Sequence, residues 1–375
     1  MSAVIVAARR TPIGTAGRSL AAHTVDALAA PVLAEVARLV APAGRPIDDV
    51  VLGNCMGPGG DVARIAALRA GLGSEVPGVT VDRQCGSGLD AVLQAASRVR
   101  AGDARLVLAG GAESASTAPQ RSWPDGTRYT RAPFAPAGFP DPDMGPAAEA
   151  VARLRGIDRE RQDAWAARSH ARAVAARAAG RFDAELVPVA DVTADERPSA
   201  RMTAAVLARF APAFTADEQG SVTAGNSCGF SDGAAAMAVT SPEIARELGL
   251  PALRVRAAAV AASDPALPGL GAARAARIAL DRAGLAPHAL GAVEITEAFA
   301  AQLLAVSDEL GLDEEAISAD GGAIALGHPW GASGAVLVVR LAARLLADDD
   351  DDRPALAACS IGGGQGVAMI VERFA

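Results

Sequence analysis

Twice in this chain a run of small residues opens an alanine-rich helix, followed by a polar loop, an apolar strand and paired glycines. "CGSGLDAVLQAASRVRAGDARLVLAGG" does so from residue 85 and "WGASGAVLVVRLAARLLADDDDDRPALAACSIGG" from residue 330. Small residues at a helix start let it lie close to another backbone. Strands apolar on both faces read as part of a buried sheet covered by helices. The repetition predicts two similar halves related by pseudo-symmetry.

The flanking pattern agrees. "AVIVAAR", "DVVLGN" and "GVTVD" alternate with helical segments at 24–40, 62–71 and 86–101. A second series starts near 252 with "ALRVRAAAVAA" and runs through a helix at 271–283, "AVEITEAF", a helix to about 310, a helix at 332–347 and "ALAACSI". This rhythm predicts an α/β fold of βαβ units. Residues 1–115 with 220–250 form one half, 251–375 the other, and 116–219 a separate segment. That segment contains "PQRSWPDGTRYTRAPFAPAGFPDPDMG", which either covers a site or is a surface excursion. The run of aspartates at 348–352 reads as a solvated helix–strand loop.

Composition narrows the function. A net charge of −8 argues against nucleic acid, whose phosphates need clustered positive charge. The chain has no lysine, which excludes Schiff-base chemistry. The apolar run at the N-terminus is too short for a signal peptide, and no window reads as membrane-spanning. A cytoplasmic enzyme with no membrane partner is the expectation. The cysteines, at 55, 85, 228 and 359, are widely scattered, so neither a disulfide framework nor a metal site is expected. The histidines at 23, 170, 288 and 328 show no ligand spacing.

Two residues stand out for chemistry. Cys85 lies between a strand and a glycine-led helix, where the helix dipole and free N–H groups favour a thiolate; the alternative is an inert buried thiol. His328, in "DGGAIALGHPWGASG", sits among glycines that permit close backbone approach, and an imidazole there can take a thiol proton or donate to an oxyanion. The turn "IGGGQG" precedes a strand and not a helix, which argues against a dinucleotide loop. Just before it Cys359 and Ser360 stand side by side, and only one of them can face a reacting atom on a regular strand.

Together "RTPIG", "CGSGLDA", "GGAES", "DPDMG", "VTAGNSCGFSDGAAA", "TEAFA", "GGAIALGHPWGASG" and "GGGQG" resemble, in order and over nearly the whole chain, the thiolase family of acyl-CoA acetyltransferases and 3-ketoacyl-CoA thiolases. The resemblance implies two thiolase half-folds in a five-layered αβαβα arrangement, a loop domain at 116–219 that binds CoA, and self-association as a homodimer or tetramer. It implies no permanently bound cofactor and no metal, with coenzyme A and acyl-CoA as substrates. Cys85 would be acylated and His328 would take its proton. Backbone N–H groups of Cys85 and Gly362 would form one oxyanion site, His328 and a held water the other. Met144 and Gly327 would contact substrate.

Four departures qualify this. In the family's C-x-G-G-G motif the second cysteine, an acid/base, falls at Ser360; counted that way, Cys359 points away from Cys85 unless the strand is bulged. Cys228 stands where the family has serine, so either it supplies the missing thiol from the opposite wall or the two changes are unrelated. Thr296 replaces the asparagine that holds the oxyanion water. Asp143 replaces a histidine of the acetoacetyl-specific subgroup, which favours a degradative or broad 3-ketoacyl thiolase. The alternative reading is a thiolase-fold condensing enzyme or acyltransferase with altered chemistry.

Overall fold

The computed structural model describes residues 2–215, 220–347 and 352–374; of the aspartate run, 348–351 lie outside the described residues. The first part contains β1 (Val4–Arg10), β2 (Gly14–Thr15), α1 (Val25–Val40), β3 (Asp49–Gly53), α2 (Val62–Arg69), β4 (Gly78–Val81), α3 (Ser87–Ala101) and β5 (Leu106–Ser114). Between the halves run β6 (Arg121–Ser122), β7 (Arg128–Tyr129), α4 (Met144–Arg155), α5 (Arg159–Ala178) and α6 (Ala204–Leu207). There follow β8 (Ser231–Thr240), α7 (Pro242–Leu248), β9 (Ala252–Ala262), α8 (Gly271–Ala283), β10 (Ala292–Ile295), α9 (Ala300–Leu310), α10 (Ala323–Leu326), α11 (Trp330–Leu345), β11 (Ala355–Ile361) and β12 (Gln365–Phe374).

The strands run in the order β10-β11-β12-β9-β1-β8-β5-β3-β4, with β2 on β8. β3 lies parallel to β4 and β5, and β10 parallel to β11, while the remaining ladders are antiparallel. The two halves meet at β1 and β9 through only two paired positions, Val4 with Arg254 and Ile5 with Leu253.

Three apolar clusters show the layering. On β1, Val4 and Val6 face α1 and α2 in one cluster. Ala3 and Ile5 face the opposite side, in a cluster that also takes in Leu89 and Val92 of α3 and Val338 and Leu341 of α11. In the second half, Leu356 and Ala358 of β11 pack with α8 and α9, whereas Ala355, Ala357, Cys359 and Ile361 join α3 and α11. Helix, sheet, helix, sheet, helix is therefore the order, as the two-residue period of each strand dictates.

The central pair α3 and α11 are the helices of the repeated sequence unit. A Cβ on Gly88 would lie 2.8 Å from the Gly331 carbonyl, and one on Gly331 would lie 2.7 Å from Asn54 Cα. Only glycine lets these helix starts touch, and this contact brings the loops that precede them together.

A buried ion network ties the segment between the halves to both. Arg10 of β1 holds Asp195 through two bonds of 2.7 and 2.8 Å and Glu185 at 2.6 Å. Glu185 also accepts from Arg340 of α11, which bonds Asp320 in turn. Both guanidinium groups lie over the Phe182 ring, at 5.3 and 4.6 Å. Removing one partner strands the opposite charges in a dry interior. Glu185→Ala should accordingly cost about 3–5 kcal/mol of stability, read as a lowered midpoint in urea unfolding.

Candidate active site

Gln84, at φ 46°, is one of the few residues other than glycine in the left-handed region. Such a turn is held by its surroundings: the Ser87 hydroxyl donates to the Gln84 carbonyl at 2.6 Å and accepts from Arg83 N–H at 2.8 Å. The turn presents Cys85 at the start of α3. From the other half, Gly327 (φ 117°) turns the chain into His328, whose N–H reaches Ser231 Oγ at 3.1 Å. His328 is buried, and its Nε2 lies 3.3 Å from Cys85 Sγ.

The tautomer follows from the far side of the ring. Ser333 Oγ donates to the Pro329 carbonyl at 3.0 Å, so its oxygen is free to accept from His328 Nδ1–H at 2.6 Å. Nε2 then carries the lone pair that faces the thiol.

The helix start does not produce a thiolate. Burial pushes the Cys85 thiol up, and the nearby Cys359 and Cys228 push it further. Burial pulls His328 down to about 4. Neutral thiol and neutral imidazole are therefore the resting pair, in place of the expected thiolate: desolvation outweighs the backbone N–H that lowers the thiol.

Of the adjacent pair, the structure turns Cys359 inward. It is fully buried in the central layer, and its Sγ lies 3.1 Å from Thr296 Oγ1. Thr296 follows β10, parallel to β11, and bonds the Ala358 carbonyl through its N–H at 3.1 Å. Burial pushes the Cys359 thiol up to about 12, against the lowering bond from Thr296. Ser360 faces the other way: its hydroxyl donates to the Gly269 carbonyl at 2.6 Å and accepts from Ala272 N–H at 3.1 Å, next to the start of α8. The expected orientation of this pair is thus reversed. β11 pairs with β12 in unbroken register from Ala355 to Ile361, so parity counted from the buried strand holds. The residue by which this motif exceeds C-x-G-G-G therefore lies within the regular strand, and the chain turns only after Ile361, where Gly363 and Gly364 take φ of 79° and 75°.

Cys228 joins the same cluster. It is half-buried, its N–H bonds the Ala298 carbonyl at 3.0 Å, and burial pushes its thiol up to about 12 against the opposing field of Arg197. Sequence reasoning passed over Cys55, after β3. Its sulfur lies 3.6 Å from Ser87 Oγ, and burial, Glu113 and Cys85 all push its thiol up. All four cysteines are free, and Cys55, Cys228 and Cys359, distant in the chain, each lie near enough to Cys85 to interact with it electrostatically. The available signal was topological: β3 and β5 are parallel neighbours, so Cys55 and Glu113 emerge together at their C-terminal ends. Glu113 there accepts from the N–H groups of Cys55, Met56 and Gly331 at 3.0–3.1 Å, pinning α11 to the first half. Among the described residues no group of three or more Cys, His, Asp or Glu is placed to hold a metal ion.

The remaining candidates lie at turns and at a helix start. The Phe134 ring covers Gly362, where a Cβ would lie 2.6 Å from Cε2, so the irregular segment does cover the turn beyond Cys359. Arg131 clips this segment by bonding Asp141 at 2.9 Å and Asp143 at 3.0 Å while lying 4.6 Å from the Phe134 ring centroid. Met144 is the half-buried first residue of α4, directly after Asp143. Gly327 is buried against Ser231 and Ile13, and shapes the His328 turn from behind.

Comparison with known proteins agrees with this architecture. Residues 3–243 match the thiolase N-terminal domain and 250–373 the thiolase C-terminal domain. An acetyl-CoA acetyltransferase of Pseudomonas aeruginosa is 41% identical, covering 99% of both chains. A putative acetyl-CoA C-acetyltransferase of Bacillus subtilis is also 41% identical, covering 100% of both. The crystal structure of the Bacillus anthracis acetyl-CoA acetyltransferase superposes with a TM-score of 0.90 at 37% identity, covering 100% of this chain and 99% of that one.

Proposed function

The chain belongs to the thiolase family, and we propose that it is an acyl-CoA C-acyltransferase that cleaves 3-ketoacyl-CoA with coenzyme A, or runs the reverse condensation, through an acyl thioester on Cys85. The observation that carries this reading is the 3.3 Å contact of Cys85 Sγ with an imidazole nitrogen whose tautomer is fixed as acceptor, with a second thiol on the Thr296 side.

Cys85 Sγ attacks the keto carbon as its proton passes to His328 Nε2. The bond between the keto carbon and its neighbour breaks, and its electron pair leaves on acetyl-CoA as an enolate. The Cys359 thiol protonates that carbon. The thiol of an incoming coenzyme A then attacks the Cys85 thioester and restores the proton on Cys359, while His328 returns its own to Cys85. Because the resting pair is neutral, negative charge appears only as it moves onto the substrate oxygen. Two oxyanion sites receive it: His328 with a water on Thr296, and the N–H groups of Cys85 and Gly362.

Coenzyme A enters as substrate along the 116–219 segment, with Phe134 and Met144 bordering the acyl group. Self-association uses β4, an edge strand next to the exposed Ile65 and Leu68 of α2. Four free thiols suit the reducing cytoplasm; among the described residues no helix is long and apolar enough to cross a membrane. The test is thiolysis of acetoacetyl-CoA and longer 3-ketoacyl-CoAs by the purified protein, with acyl-CoA produced only when coenzyme A is present. No product from any chain length would refute the reading.

A further inference from the structure

Behind the reactive residues lies a small internal cavity of ≈ 20 Å³, lined by Glu294, Thr296, Ser333, Val336 and Arg340 among others. Cys85, His328 and Cys359 do not line it, but two of its walls touch them. Thr296 bonds Cys359, and Ser333 bonds His328. The volume suits one water molecule, which needs roughly 10–15 Å³ and two to four polar partners. Arg340 is 2% exposed, and with both terminal nitrogens on Glu185 and Asp320 its Nε finds no hydrogen-bond partner in the described structure.

We propose that this chamber binds one ordered water that accepts from Arg340 Nε–H and links Glu294 to the hydroxyls of Thr296 and Ser333, making Glu294 a positioning residue for both catalytic pairs. The inference rests on the thiolase reading and assigns a role to a carboxyl group that the reaction itself does not touch.

Hydrogen-bond direction supplies the reason. A protonated Glu294 donates to the water, whose two hydrogens then go to Thr296 Oγ1 and Ser333 Oγ. The Thr296 hydroxyl hydrogen is left to stabilise the Cys359 thiolate formed when Cys359 has given up its proton. An ionised Glu294 takes one water hydrogen for itself, and a hydroxyl must turn away from its catalytic partner. The groups facing Glu294 are Arg344 (3.2 Å) and Arg340 from α11 and Asp320 from the loop before α10. Burial pushes its carboxyl up to about 7, with Arg344 and Arg340 opposing the rise and Asp320 adding to it, so the two states exchange in the working range.

Glu294→Gln keeps the shape and always presents a donor, imitating the protonated form. The ratio of its kcat to that of the wild type in acetoacetyl-CoA thiolysis should rise with pH by about fivefold, the worth of one redirected hydrogen bond, with KM unchanged. A ratio that stays constant across pH overturns the proposal, because a merely structural defect lowers kcat equally at every pH. Arg344→Met removes the ion pair and should move the inflection of the kcat profile to higher pH; an inflection that stays in place also overturns it. If Glu294→Gln fails to fold, Arg344→Met decides. Absence of thiolysis in the wild type would instead refute the proposed activity, a distinguishable result.

Discussion

Cys85→Ala should lower thiolysis by about 10⁴-fold or more, since removing a covalent nucleophile leaves only binding and oxyanion stabilisation. Incubation with acyl-CoA followed by intact mass should show one acyl group on the wild type and none on the variant. The convergence of four thiols makes the measurement informative. Cys55, Cys228 and Cys359 all lie near Cys85, but the structure gives His328 Nε2 to Cys85. An adduct persisting in Cys85→Ala, mapped to another cysteine, would move the nucleophile and overturn the assignment. Because burial raises the thiol and lowers the imidazole, the proton must move during attack. His328→Asn should therefore slow acylation at every pH.

The second large effect separates two neighbours. Cys359→Ala should reduce carbon–carbon cleavage by about 10²–10⁴-fold, the usual worth of a positioned acid/base. Acyl exchange between CoA molecules at Cys85, which breaks no carbon–carbon bond, should fall much less. Ser360→Ala removes the bonds to Gly269 and Ala272. It should cost about 1 kcal/mol of stability and leave kcat within a few-fold. If Ser360→Ala abolishes cleavage while Cys359→Ala spares it, the register of β11 described above is wrong.

These two neighbours also show where sequence reading stopped. A glycine-led helix after an apolar strand is a local pattern, and it led to Cys85 and, in its second copy, to His328. The βαβ units followed from the same alternation of strand and helix periods, and the five-layered order from the resemblance to the thiolase family. Ser360 was preferred over Cys359 because motif register was counted back from the glycines. The strand keeps its parity from Ala355 through Ile361, so the extra residue between Cys359 and the glycines moves the pair by one face. Cys55 was passed over because it lies 30 residues before Cys85 with no shared motif. The parallel pairing of β3 with β4, whose C-terminal ends lead into Cys55 and Cys85, makes the two neighbours. Glu294 lay inside the quoted "AVEITEAF" without drawing notice, since nothing local distinguishes a carboxylate beside a cavity from one on a surface.

By itself, then, the sequence determined the succession of strands and helices, set by periodicities and caps spanning a few residues, and singled out Cys85 and His328 as candidates. The tertiary structure decided that Cys359 and not Ser360 meets Thr296, that the other three cysteines come near Cys85, and that Glu294 shares a chamber with Thr296 and Ser333. Those depend on strand parity and on contacts between segments far apart in the chain.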